Sequence, residues 1–165
     1  MNTPTPPAHC TFEPDDWLRL ARQWHPVARS CDITGAPGKA ILLDEQLVVY
    51  RINGSVVVAR DVCPHRGVPL TLGFHDEEGV VCPYHGLRFG ENGRCNRIPS
   101  SPGQPIPAKL NLISYQVEER YGLIWVCIAP DPENPAPLPT MPHWDDVGFQ
   151  QINCPPFDVD GFAGR

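Results

Sequence analysis

Two thiols and two imidazoles stand in one stretch of this 165-residue chain, Asp61 to Phe89, DVCPHRGVPLTLGFHDEEGVVCPYHGLRF. They come as two pairs, Cys63-Pro-His65 and Cys82-Pro-Tyr-His85, with sixteen residues between His65 and Cys82. Two Cys/His pairs can hold one inorganic centre. Zinc accepts the same four atoms in a tetrahedron, but zinc modules usually pair C-x2-4-C with H-x3-5-H across a helical segment. Here the order is C-x-H and C-x-x-H, and the run before the second pair, Val80-Val81-Cys82, is strand-like. A glycine closes each box, Gly67 and Gly86, as needed where backbone must bend tightly around a centre.

A cluster that carries two thiolates on one iron and two imidazoles on the other needs one ligand of each kind from each loop. CPHRG and CPYHG resemble the two ligand boxes of the Rieske family at every position that binds metal. The resemblance implies one 2Fe–2S cluster, with Cys63 and Cys82 on the inner iron and His65 and His85 on the outer iron. Respiratory and photosynthetic Rieske proteins resemble CTHLGC and CPCHGS, with a disulfide between the loops and Ser and Tyr hydroxyls directed at sulfur. Here Val68 and Tyr84 replace those cysteines, and Leu87 and Phe89 stand where the hydroxyls would be. Fewer donors to sulfur imply a potential toward the low end of the Rieske range, around −150 mV rather than +300 mV.

The wider match, CPHRGVPLTLG, CPYHGLRFGENGRCNRIPS and YQVEERYGLIWVCIAPDPENPAPLP, is similar to the N-terminal half of oxygenase subunits of the vanillate O-demethylase and phenoxybenzoate dioxygenase type. It covers roughly Trp17 to Pro139. This implies an oxidoreductase component that takes single electrons from a reductase and passes them to a mononuclear non-haem iron in an oxygenase domain or subunit. The alternative is a truncated oxygenase whose missing C-terminal domain hydroxylates or O-demethylates an aromatic or related substrate. A cluster sensor or structural zinc module is the reading from a different class. The family's second domain holds iron by two His and a carboxylate. Only His143 follows the cluster boxes here, so that catalytic domain is expected to be absent, and His143 reads as a linker residue.

The elements that must position the boxes are mostly strands. The expected fold is all-β, a Rieske fold of antiparallel sheets with two cluster-binding hairpin loops and a short N-terminal helix. Residues 1–13 are read as a flexible N-terminus, 14–130 as the Rieske domain and 131–165 as a proline-rich linker and tail. A helix is expected from Pro14, with Asp15 and Asp16 at its positive end and an end before Pro26. Trp17 and Trp24 are read as core packing. AILLDEQLVVYRI reads as one β run, Asn53-Gly54 and Asn92-Gly93 as hairpin turns, and His75 as a solvated loop histidine. The two strands around Glu119 to Gly122 are expected to close the core beneath the cluster loops.

The formal net charge is −6, which argues against nucleic acid or an anionic membrane surface as partner. No run approaches eighteen apolar residues and the N-terminus lacks the pattern of an export signal, so neither membrane anchoring nor export is expected. Seven cysteines is an odd number. Cys10, Cys31, Cys95, Cys127 and Cys154 show no paired spacing, which points to free thiols and a cytoplasmic, reducing setting.

Overall fold

The computed structural model describes residues 4–152 and residue 154. The helix α1 (Pro14–Ala21) starts on Pro14 with Asp15 and Asp16 in its first turn, and it buries Trp17 and Ala21. It ends at Ala21, five residues before Pro26, and Pro26 itself lies within β1 (His25–Arg29). Trp24 therefore lies in the connection. It is half-buried, and its indole Nε1–H donates to the Ala136 carbonyl at 2.9 Å, so it holds the proline-rich segment and not the sheet core.

Next comes an antiparallel meander, β2 (Gly38–Leu42), β3 (Glu45–Ile52) and β4 (Ser55–Arg60). The run expected to be one strand is broken at Leu43 and Asp44, whose φ angles are 50° and 65°. A two-residue hairpin turn needs both central residues in the left-handed region. Asp44 gains from the bend, since its Oδ2 accepts from both the backbone N–H and the hydroxyl of Thr11 at 2.7 Å. Asn53 and Gly54, at 50° and 83°, form the hairpin turn foreseen for them.

A four-stranded sheet follows in the order β5 (Phe74–Asp76), β6 (Gly79–Val81), β7 (Arg88–Phe89) and β8 (Cys95–Arg97). His75 lies in β5 and not in a loop. It is half-buried, and its Nε2–H donates to the Arg51 carbonyl. The Asn92–Gly93 turn joins β7 to β8 as a wider loop, closed by Gly90 N–H donating to Arg94 O at 2.8 Å. Last come β9 (Gln116–Arg120) and β10 (Leu123–Cys127), which pair with β1 in the order β1-β10-β9.

The alternation of β3 explains how these sheets stack. Leu47 and Val49 face one core with Val58, Ile124 and Val126; Val48, Tyr50 and Ile52 face another with Val57, Ala59, Leu70, Val80, Leu87, Phe89 and the two box cysteines. Successive residues of a strand point to opposite faces. The β1-β10-β9 sheet thus lies on the face of β3 and β4 away from the ligand loops, not beneath them as expected. The helix α1 packs beside the C-terminal end of β10, where the Cys127 thiol donates to the Ala21 carbonyl at 3.5 Å and Trp17 and Ala21 pack with Ala129.

The fold is all-β with one short helix, and no helix among the described residues is long and apolar enough to cross a membrane. Within residues 131–152 no strand forms. This segment is tied down by the Arg22–Asp131 ion pair at 3.1 Å, by Trp24, and by an edge-on contact of Trp144 with Tyr121 at 5.1 Å.

Candidate metal centre

The two boxes fold into the same turn. Cys63 N–H donates to Val68 O at 2.9 Å and Gly67 N–H to Cys63 O at 2.8 Å; Cys82 N–H donates to Leu87 O at 2.8 Å and Gly86 N–H to Cys82 O at 3.1 Å. Gly67 and Gly86 take the fifth place in each turn with φ of 73° and 71°, a conformation that costs a side-chain-bearing residue energy. Around Gly67 there is open space, so its requirement is conformational. Gly86 also faces the Pro99 ring, which an added β-carbon would approach to 3.1 Å.

Equal turns carry unequal side chains. The histidine is third in the first box and fourth in the second, and the rings meet edge to face with centroids 4.6 Å apart. Both rings are exposed, whereas Cys63 and Cys82 are each only 2% exposed. Two thiols thus lie at the base and two imidazoles at the rim. Arg66 and Tyr84 occupy the alternative places. Tyr84 is 63% exposed and lies against the His85 ring at 3.9 Å.

Burial pushes the Cys63 thiol up to about 11, opposed by the backbone N–H groups of His65 and Arg66 and reinforced by the neighbouring Cys82. A pair of thiolates at this depth needs compensating positive charge, which metal ions supply. The donor set, one thiol and one imidazole from each loop with the thiols at the base, suits a two-iron centre in which each iron takes two protein ligands and inorganic sulfide completes its shell.

Asp61 is the structural residue that sequence reading missed. Only 4% exposed, it accepts from the backbone N–H groups of Leu70 at 2.6 Å and Thr71 at 2.9 Å and from the Thr71 hydroxyl at 2.6 Å. It ties the residue two before Cys63 to the turn that leads into β5. Nothing in the local sequence announces a cap nine residues away. Asp61→Ala should lower stability by about 2–4 kcal/mol, since it strands buried donors. A urea midpoint equal to the parent's would contradict this role.

Leu87 and Phe89 are 3% and 0% exposed, so hydrocarbon fills both places beside the second box. Val68 packs on the same core, and all seven cysteines are free thiols. An apolar hollow of about 440 Å³ adjoins the two rings, walled by Leu87, Ile98, Pro99, Ser100 and Leu110. His143 is remote from the centre in its contacts, stacking on Phe149 at 4.5 Å and lying 3.4 Å from Asp146.

Residues 23–115 match the Rieske [2Fe-2S] domain family. The chain is 38% identical over 118 residues to methylxanthine N1-demethylase NdmA of Pseudomonas putida, a match covering 68% of this chain and 34% of that protein. It is 39% identical over 104 residues to the vanillate O-demethylase oxygenase subunit of Pseudomonas sp. (strain HR199 / DSM 7063), covering 62% and 28%. Among solved structures, Pseudomonas putida CBB5 NdmA with caffeine aligns at a TM-score of 0.71 with 34% identity, over 79% of this chain and 39% of that one. Apo dicamba monooxygenase aligns at 0.70 with 34% identity, over 78% and 40%. The chain spans about a third of the length of these curated relatives. Profile, relatives and fold agree: the chain belongs to the Rieske [2Fe-2S] domain family, whose members carry one Rieske-type 2Fe–2S cluster, and its relatives are Rieske oxygenase subunits.

Proposed function

We propose that Cys63 and Cys82 hold the inner iron of the cluster and His65 and His85 the outer iron, and that the domain passes single electrons from a reductase to a mononuclear non-haem iron oxygenase centre. The observation that carries this reading is the vertical order of the donors, thiols buried at the base and imidazoles exposed at the rim. When bound, the cluster supplies a reversible one-electron carrier. The imidazole edges are the parts of the site that a partner can reach. The thiols sit behind them in a core of Val48, Leu70, Val80, Leu87 and Phe89, which keeps water from the sulfurs. Tyr84 covers one face of His85. Leu87 and Phe89 offer no hydroxyl to sulfur, which supports a potential near the low end of the Rieske range.

The relatives support the kind of partner. Several are oxygenase subunits of demethylase or dioxygenase systems. In this reading the oxygen-activating iron is held by another domain or subunit, and residues 14–130 are the electron-transfer unit, with 131–165 as the segment that leads away from it. The second reading, an oxygenase subunit whose further domain hydroxylates or O-demethylates an aromatic or related substrate, is favoured by the chain's covering only about a third of its relatives.

The test is the ratio of iron to acid-labile sulfide in protein purified gently from its host, together with a reductive titration. About one iron per sulfide and one electron taken up per chain would support a carrier domain; a ratio near one and a half would mean that a mononuclear iron accompanies it. Iron without sulfide, or zinc, would overturn the cluster assignment.

A further inference from the structure

Charge is unevenly spread along this chain. The whole carries a formal net charge of −6, yet between residues 62 and 117 the only carboxylates are Asp76, Glu77, Glu78 and Glu91. All four lie at the hairpin ends away from the ligand loops. Asp76 to Glu78 form the β5–β6 turn and Glu91 stands in the β7–β8 loop, and Glu77, Glu78 and Glu91 line one surface hollow with Asn53. Asp76 and Glu78 are also paired with Arg88. Asp61, two residues before Cys63, is buried and holds Leu70 and Thr71.

Beside the rings the sign reverses. Arg66 follows His65 in the first box and is exposed. Arg97 ends β8 and lines a groove with Ile98 and Pro99, and the exposed Lys109 precedes Leu110; Ile98, Pro99 and Leu110 wall the hollow that adjoins both imidazoles. Among the described residues no carboxylate pairs with Arg66, Arg97 or Lys109. Exposed apolar surface adjoins the same loops. Tyr84 lies on the His85 ring, and Leu72 and Phe74, 70% and 58% exposed, flank Gly73, where an added β-carbon would approach the Pro83 ring to 3.2 Å. An apolar centre with a charged surround is the anatomy of a protein interface.

We propose that the exposed imidazoles and Tyr84, together with Arg66, Arg97 and Lys109, form the face that receives the electron donor, and that the donor meets it with an acidic surface. This rests on the electron-transfer role proposed above. The chain's own carboxylates do not cancel the face. Four residues of extended chain separate Glu78 from Cys82, about 13 Å, and physiological salt screens charge over about 8 Å. A donor must find the site and leave it for every electron delivered, and long-range attraction speeds that encounter. An oxygenase domain held permanently beside the rings gains nothing from such steering.

The experiment mixes the full chain, loaded with its cluster, with a reduced acidic 2Fe–2S ferredoxin of the plant type as probe, and follows cluster reduction by stopped flow over a range of salt. Net charge and local charge predict opposite signs. A molecule of net charge −6 repels the probe, so added salt would raise the rate; the basic face attracts it, so added salt lowers the rate. A falling rate is expected. The triple variant Arg66→Gln, Arg97→Gln and Lys109→Gln should be about tenfold slower at low salt, with its salt dependence flattened or reversed. Lys39→Gln, which removes an exposed cation from β2, should react like the parent. The visible spectrum and full reduction by dithionite check that every variant is folded and loaded. A parent rate that rises with salt, or a triple variant as fast as the parent, would overturn the docking face and leave the carrier role standing. A cluster that dithionite leaves oxidised would remove the carrier role, and the face with it.

Discussion

Replacing Cys63 or Cys82 by serine should abolish the cluster, with iron and labile sulfide both falling to background and the visible and paramagnetic signals lost. Each substitution removes one of the two thiolates proposed for the inner iron, and a serine hydroxyl does not replace a thiolate on iron in a site that selects soft ligands. The controls are Cys95→Ser and Cys127→Ser. Those cysteines are 3% and 2% exposed, as buried as the box cysteines, and burial pushes both thiols upward. They should keep full cluster content at a modest cost in stability, about 1–3 kcal/mol for a buried hydroxyl. A normal spectrum in either box variant would show that burial was mistaken for ligation.

The second large effect is on potential. His65→Cys and His85→Cys each exchange a neutral ligand for an anionic one, so adding an electron becomes harder and the potential falls. All-cysteine 2Fe–2S centres of the plant type lie near −400 mV and the low end of the Rieske range near −150 mV, so the double variant should fall by roughly 250 mV and each single variant by part of that. A redox titration followed by electron paramagnetic resonance reads this directly. Both rings stand at the exposed rim, so the substitutions leave the packed core intact. An unchanged potential in both variants would remove the histidines from the outer iron.

Turns and local periodicity were legible in the chain, because their causes are local. Asn53-Gly54 forms the hairpin turn its residue types demand, and α1 begins on Pro14 with its acidic first turn. The break at Leu43–Asp44 was not legible, since the bend is secured by Thr11, thirty-three residues away. His75 reads as a solvated loop residue among acidic neighbours, yet strand pairing with β6 half-buries it. Trp24 reads as core packing, but its partner is a carbonyl 112 residues further along the chain.

The four candidate ligands follow from residue type and spacing alone, because the ligand chemistry of a mixed thiolate and imidazole centre restricts which side chains occur and in what order. Spacing also foresaw two similar loops, since Cys-Pro-x-x-Gly prescribes nearly the same turn each time it occurs. Packing decided the rest. The depth of the thiols beneath the rings depends on Val80, Leu87, Phe89 and the β3 face that covers them, and the meeting of the rings depends on two turns set side by side by separate hairpins. The hold of Asp61 on Leu70 and Thr71 is likewise a product of tertiary structure. It depends on groups nine and ten residues away being brought within hydrogen-bonding range, and no local pattern of residues encodes that distance.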